Sequence, residues 1–299
     1  MLKPSASTLH AKPAPARIDD DDDASGAALQ GREFAWTNAD FARVQALIYQ
    51  RAGISLHDGK HAMVYSRLSR RLRETGHTSF SSYLGWLEQQ GDGVEWQEFV
   101  NALTTNLTAF FRENHHFEIF ATHLRSKPTG TPWRVWCNAA STGEEPYSIV
   151  ITALETLGAN ASLKLTASDI DSRVLAKAAE GVYRMEAARG LSQERLQRFF
   201  LRGKAGNAGL IRAKPELRRM IEFMSVNLIR DDWPFREPFD VVFCRNVMIY
   251  FDTFSPMPLV NEYVLKNFPK EQFSDSNNFT TVVDINLSYQ DRLLPLLVV

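Results

Sequence analysis

The stretch Arg134–Ile151, RVWCNAASTGEEPYSIVI, decides how the chain reads. WRVWCNA has the apolar, β-branched and aromatic character of a strand, AASTGEE is a loop of small residues, and EEPYSIVITALETLG begins a helix. Turns of this kind commonly bind phosphate on bare backbone N–H groups with a lysine close by. Here the loop holds one glycine, Gly143, and ends in Glu144 and Glu145, so neither GxGxxG nor GxxxxGK[ST] is present. A pyrophosphate would meet two carboxylates and no lysine, which argues against NAD, FAD and ATP.

Working outward, LKLTASD, IEFMSVN and FDVVFCRN are further strands, separated by helices such as SRVLAKAAEGVY. Apolar strands alternating with helices predict a parallel sheet covered on both faces, an α/β fold of the doubly wound, Rossmann-like kind. Ligands of such sheets lie at the carboxyl ends of the strands. A ligand with a cationic end and sugar hydroxyls suits the acidic loop, and S-adenosylmethionine has an ammonium, a sulfonium, a ribose and no phosphate. Asp169 ends the next strand 24 positions after Glu145, near the spacing of an acceptor for ribose hydroxyls. Glu144 alone fits equally well the preference for acids in a helix's first turn. Two acids at this spacing, without a phosphate loop, make the more specific signal.

The flanking regions differ in character. Residues 1–32, with the run Asp19–Asp23, bury too little apolar surface to order and are expected to form a disordered tail. From 33 to 103 the pattern is helical: FARVQALIYQRAG, HAMVYSRLSRRLRETG and FSSYLGWLEQQG each stop at a glycine, and Val64, Leu68 and Leu72 form one buried stripe. Residues 104–132 read as a linker helix, TAFFRENHHFEIFATHL, leading into the α/β domain at 133–299. Within that domain RFFLRGKAGNAGLIRAK is a hairpin, a small antiparallel β-subdomain at about 197–220. A net charge of −1 gives no general attraction to nucleic acid, and no apolar run is long enough for direct membrane insertion. The N-terminus lacks a secretory apolar core, and Cys137 and Cys244 lie in apolar strands, which points to buried free thiols and a cytoplasmic protein. His57 and His61 have metal-ligand spacing, but Gly59 between them and the lack of a third ligand favour exposed histidines; His115 and His116 are expected to pack or cap, and no metal is predicted.

Four blocks, TTNLTAFFRE, AASTGEEPYSI, ASDID and FDVVFCRNVMIYFD, taken in order, closely resemble the CheR-type chemotaxis receptor methyltransferases. LIYQRAGISL and MVYSRLSRRLR resemble that family's N-terminal all-helical domain, so the resemblance runs from Phe41 to Asp252. It implies methyl transfer from S-adenosylmethionine to glutamate side chains of bacterial chemoreceptors, with S-adenosylhomocysteine as product. It assigns cofactor contacts to Asn106, Thr108, Arg112, Glu145, Asp169, Asn227, Leu228, Arg245 and Asn246. It also implies that Arg112 and Tyr250 act at the reacting groups. Arg67, Arg70, Arg71 and Arg73 would face the acidic methylation region of the receptor, where sequence pattern alone would suggest a solvated helix face. The β-subdomain resembles an element that in some members grips a receptor C-terminal peptide by adding a strand.

Past Asp252 the residues no longer correspond, although a helix LVNEYVLKNF and a strand FTTVVDI are expected in the divergent C-terminus 253–299. That divergence leaves, as the alternative, a catalytically impaired protein that binds S-adenosylmethionine or receptor without turnover. A methyltransferase of small molecules or nucleic acid is a third reading, and the absence of an Asn-Pro-Pro-Tyr-like motif counts against base methylation.

Overall fold

The computed structural model describes residues 32–128, 130–230, 232–237, 239–247 and 250–251. The expected N-terminal tail and the divergent segment 253–299 lie outside the described residues. Four helices come first: α1 Asn38–Ala52, α2 His61–Thr75, α3 Phe80–Gln89 and α4 Val94–Leu103. Thr37 starts α1 with a reciprocal capping box, its hydroxyl taking the Asp40 N–H while Asp40 takes the Thr37 N–H. Val64, Leu68 and Leu72 of α2 are fully buried, as the four-residue repeat requires, and join Phe41, Val44, Tyr83 and Phe99 in a core belonging to these helices.

The chain then alternates. Helix α5, His115–Leu124, precedes strand β1, Trp133–Cys137; α6, Glu144–Leu157; β2, Leu163–Asp169; and α7, Ser172–Glu180. Next come β3, Val182–Arg184; α8, Gln193–Phe199; β4, Phe200–Arg202; β5, Leu210–Ala213; and the single turn α9, Pro215–Arg218. Strands β6, Ile221–Ser225, and β7, Val241–Phe243, complete the described part. The main sheet runs β6-β2-β1-β7, all parallel. After β1 the chain builds outward through β2 and β6, then returns to pair β7 on the other side of β1. The order reverses at β1, so the crevice at the carboxyl ends of β1 and β7 is where a ligand belongs. One face is closed by α5 and α6, the other by Trp136, Val226, Leu228, Phe239, Val242 and Cys244.

Two elements differ from the sequence reading. Residues 104–114 are not the start of a linker helix: only 115–124 is helical, and Phe111 and Glu113 take left-handed φ values of 53° and 55°. Burial of Phe110 and Phe111, together with an N–H bond from Phe111 to the Ser148 hydroxyl at 3.0 Å, pulls this segment flat against α6. The second difference is the small sheet, which has three strands in the order β3-β5-β4. The hairpin β4–β5 forms as expected, and β3, read from sequence as the tail of a helix, pairs antiparallel with β5.

The helical layer meets the sheet through polar contacts. Asp171 caps α7 with one carboxylate oxygen and with the other accepts the Thr104 hydroxyl at 2.7 Å and the Asn106 amide at 2.9 Å. Gln97 donates to Ile170 O at 2.8 Å, Asn101 to the Ser172 hydroxyl at 3.1 Å, and Asn227 to Arg51 O at 2.8 Å. Gly53 ends α1 with φ 70°, and a Cβ there would stand 2.4 Å from Ile229 Cγ2, so only glycine permits both the turn and the approach. Asp171→Ala removes a helix cap and takes an acceptor from the half-buried Thr104 hydroxyl and Asn106 amide; it should lower unfolding free energy by about 1–3 kcal/mol in urea denaturation. A loss below about 0.5 kcal/mol would show that this carboxylate does not join the two layers.

Candidate active site

The loop between β1 and α6 is bound on both sides by the neighbouring strands. Asn138 N donates to Phe243 O at 3.0 Å, Ala140 N to Ser168 O at 2.8 Å, and Ser141 N to Asp169 Oδ2 at 2.8 Å. Gly143, with φ 98°, leads into α6; a Cβ would lie 2.7 Å from the Tyr183 hydroxyl and 2.9 Å from Ala178 Cβ. The helix is therefore seated directly against α7 and β3, and its first turn carries Glu144 and Glu145 into buried positions. The two acids then part. Glu144 takes the Thr142 hydroxyl at 2.6 Å, a local contact of the loop. Glu145 accepts from Arg245 Nη1 at 2.6 Å and from the Cys137 thiol at 3.4 Å.

Arg245 follows β7, and its side chain has no exposure. Its Nη2 donates to Glu113 Oε2 at 2.9 Å and to Arg112 O at 2.7 Å, so one guanidinium ties β7 to α6 and to the linker. Burial pushes the Glu145 carboxyl above its ordinary range, with the attraction of Arg245 opposing it. The Cys137 thiol is pushed well up by the same burial and by the nearby Glu145 charge, so it stays protonated and donates. Beside the cluster His116 is pushed down to about 4 by burial and by Arg245, which keeps its imidazole neutral near pH 7.

Asp169 occupies the other side of the loop, at the end of β2. Its carboxylate accepts the N–H of Ser141 at 2.8 Å and of Asp171 at 2.9 Å, and burial raises its pKa despite these bonds. Glu145 and Asp169 thus flank one six-residue loop, Asn138–Gly143, at the carboxyl end of the sheet, with Asp169 stabilised by N–H groups rather than a cation. A half-buried carboxylate held in this way suits sugar hydroxyls. A buried Arg–Glu pair offers a donor and an acceptor to a zwitterionic amino-acid end, and Arg245 Nε has no hydrogen bond among the described residues. These residues fit S-adenosylmethionine.

The remaining expected residues separate into groups. Asn106 is half-buried; its amide is held by Asp171 and its carbonyl accepts the Ser141 hydroxyl at 3.0 Å, so it fastens the linker over the loop. Thr108 is half-buried on the same linker. Arg112 is one-third exposed; Nη1 donates to Leu107 O at 3.2 Å and Nε lies 3.5 Å from Glu113. Leu228 is buried against the Trp136 face, and Asn227 anchors the helical layer through Arg51. Asn246 is half-buried in the left-handed region at φ 54°. Tyr250 is half-buried, and its carbonyl accepts Ser55 N–H at 2.8 Å.

The four arginines of α2 do not share one outward face. Arg67 turns inward, donating to Thr104 O at 2.7 Å near Tyr250. Arg71 is largely covered and paired with Glu95 at 2.5 Å and with Glu74. Helical periodicity places Arg67 and Arg71 on the side packed against α4 and leaves Arg70 and Arg73 exposed. His57 takes the Gly59 N–H on Nδ1 at 3.2 Å, and His61 stacks on Phe41 with ring centroids 3.7 Å apart. Sequence reasoning missed Glu113, the second acid on Arg245, and Asp171. The Asp171-Ser172-Arg173 start of α7 is an N-cap pattern that could have found the latter.

Arg245→Met leaves Glu145 buried without its cation and should cost about 3–5 kcal/mol of stability, read from urea midpoints. Adding Glu145→Gln should restore most of that loss. Two additive losses would mean that the pair is not energetically coupled.

Residues 39–104 match the family model for the CheR methyltransferase all-alpha domain, and residues 106–267 match that for the CheR methyltransferase SAM binding domain. The second match runs past Asp252, the last residue of the four resembling blocks. The chain is 51% identical to the chemotaxis protein methyltransferase of Salmonella typhimurium over 78% of this chain and 81% of that protein. It is 50% identical to the one from Escherichia coli, over 77% of this chain and 80% of that protein. Chemotaxis protein methyltransferase 2 of Pseudomonas aeruginosa is 46% identical over 83% of this chain and 89% of its own length. With its helical domain, its parallel sheet and its acid-flanked loop, the chain belongs to the CheR methyltransferase family and is an S-adenosylmethionine-dependent methyltransferase of chemotaxis.

Proposed function

We propose that the acceptor is a glutamate side chain in the cytoplasmic methylation region of a chemoreceptor, and that the products are a glutamyl methyl ester and S-adenosylhomocysteine. The observation that supports the cofactor half of this reading is the acid-flanked loop: buried Glu145 and half-buried Asp169 where a phosphate-binding loop would have glycines and lysine. S-adenosylmethionine supplies an electrophilic methyl group on a positively charged sulfur. Asp169 takes the ribose, Asn227 and Leu228 lie toward the adenine, and the Glu145–Arg245 pair with Asn246 receives the amino-acid end. Asn106, Thr108 and Arg112 close the site from the linker.

The acceptor carboxylate is already anionic, so the chain needs no strong general base. Its work is to hold the reacting oxygen in line at near-attack distance and to exclude water that would solvate both charges. Arg112, one-third exposed on the linker, and Tyr250, fixed through its carbonyl to Ser55, are the groups suited to orient that carboxylate. Arg70 and Arg73 provide positive charge on the outer side of α2 for an acidic receptor helix. A groove of about 490 Å³ on the small sheet, lined by Leu201, Arg202, Lys204 and Arg212, lies beside the edge strand β4 and suits an extended receptor C-terminal peptide. No helix among the described residues is long and apolar enough to cross a membrane. An acceptor in the receptor's cytoplasmic region supports a cytoplasmic enzyme. The alternative of a catalytically impaired binder is not favoured, because relatives at about half identity over most of the chain are methyltransferases.

Incubation with receptor and labelled S-adenosylmethionine should yield label released by base as methanol. Arg112→Ala and Tyr250→Phe should each reduce that transfer by about tenfold or more, the loss of one charge-assisted or orienting hydrogen bond. Full activity in both variants would remove them from the reaction.

A further inference from the structure

Arg112 stands between two residues of strained backbone. Phe111 and Glu113 flank it with left-handed φ values of 53° and 55°, a region that disfavours any residue bearing a Cβ. Such geometry persists only where surrounding contacts impose it, and it clusters where a side chain is presented for function. Phe111 is held by its buried ring and by the Ser148 hydroxyl. Glu113 is held by its carboxylate, whose two oxygens are divided. Oε2 accepts from Arg245 Nη2 at 2.9 Å and lies 3.7 Å from His116 Nδ1, while Oε1 lies 3.5 Å from Arg112 Nε. From the other side Arg112 Nη1 donates to Leu107 O at 3.2 Å. Nε and Nη1 are thereby engaged within the linker, and among the described residues Nη2 makes no hydrogen bond.

Balancing Arg245 does not by itself require Glu113. Glu145 already pairs with that guanidinium at 2.6 Å, and the Glu145 carboxyl, raised first by burial, is raised further by the Glu113 charge. A second acid beside that pair is offset by a second cation, and Arg112 supplies it. We propose that Glu113 is a positioning residue for methyl transfer, registering Arg112 to Arg245 through one shared carboxylate. Arg245 belongs to the pair that receives the cofactor's amino-acid end, so the guanidinium that orients the acceptor is set against the cofactor before the acceptor arrives. Holding a long side chain in place beforehand removes part of the ordering that the transition state would otherwise require. The acceptor carboxylate can take Nη2 without displacing Glu113, which stays on Arg245 and beside Nε. The assignment rests on the reading of Arg112 as the acceptor-orienting group and adds to it the residue that holds that group.

The test is steady-state methylation of receptor by the full chain, with calorimetric titration of S-adenosylhomocysteine and thermal melting, for Glu113→Gln, Arg112→Ala and the double variant. Glutamine keeps a carbonyl oxygen for Arg245 and removes the charge from Arg112. Glu113→Gln should lower kcat by about tenfold while receptor KM and affinity for S-adenosylhomocysteine each change by less than about threefold. In the Arg112→Ala background the same substitution should cost less than about twofold, because the residue it acts through is gone. Glu113→Asp keeps the charge on a shorter arm and decides the matter should the glutamine variant not fold. Its loss of kcat should be smaller than that of glutamine, seen with Arg112 present and absent in Arg112→Ala. A wild-type kcat in Glu113→Gln overturns the proposal, as does an equal loss in both backgrounds. So does a weakened cofactor affinity or a lowered melting temperature that accounts for the lost rate, the signature of a carboxylate that only supports Arg245. If Arg112→Ala keeps full activity, the reading of Arg112 itself fails, a result distinct from failure of the Glu113 assignment.

Discussion

Arg245 is a fully buried guanidinium held between two carboxylates and a carbonyl, and the architecture of the site follows from that arrangement. A cation without exposure costs several kcal/mol unless it is paired and hydrogen-bonded, on the order of what a small domain has in reserve. Glu145 can meet Arg245 only because α6 starts where Gly143 allows it, tight against Ala178 and Tyr183. Glu113 and the Arg112 carbonyl can meet it only because the linker leaves helical geometry at Phe111 and Glu113. Satisfying one charge therefore fixes the loop, the helix start and the linker together.

The same economy appears on the other side of the loop. Asp169 receives two backbone N–H groups and Asp171 receives two side chains and a helix start, so the strand end, the loop and the linker share one hydrogen-bonded frame. The two layers of the molecule keep separate apolar cores, joined by directional polar contacts. Such contacts stabilise little in net terms but are strongly position-specific, because a misplaced layer would leave buried donors and acceptors unmet. The groups proposed to orient the acceptor, on the linker and at Tyr250, would need that positional accuracy.

Much of this was legible in the residues. The 3.6-residue repeat of α2, the glycine stops, and the apolar strands β1 and β2 are local signals, and the structure follows them. The acidic loop identified the class of ligand because the chemistry of a phosphate site is so different. What escaped was tertiary. TAFFRENHH holds no glycine or proline that would break a helix, and burial of Phe110 and Phe111 draws it out of helical geometry all the same. The arginines of α2 read as one basic face until packing against α4 turns Arg67 and Arg71 inward. Strand β3 is three residues long and earns its pairing only from β5, so no pattern within it could announce it.

The central claim is that a half-buried acid without a cationic partner, not an amide-lined phosphate cradle, receives the nucleoside at the sheet's rim. Calorimetric binding of S-adenosylmethionine to wild type and to Asp169→Asn tests it most directly, since asparagine keeps the shape and removes the charge. A loss of about tenfold or more in affinity is expected, the scale of a charge-assisted hydrogen bond to a ribose hydroxyl. Equal affinity in the two proteins would contradict the account.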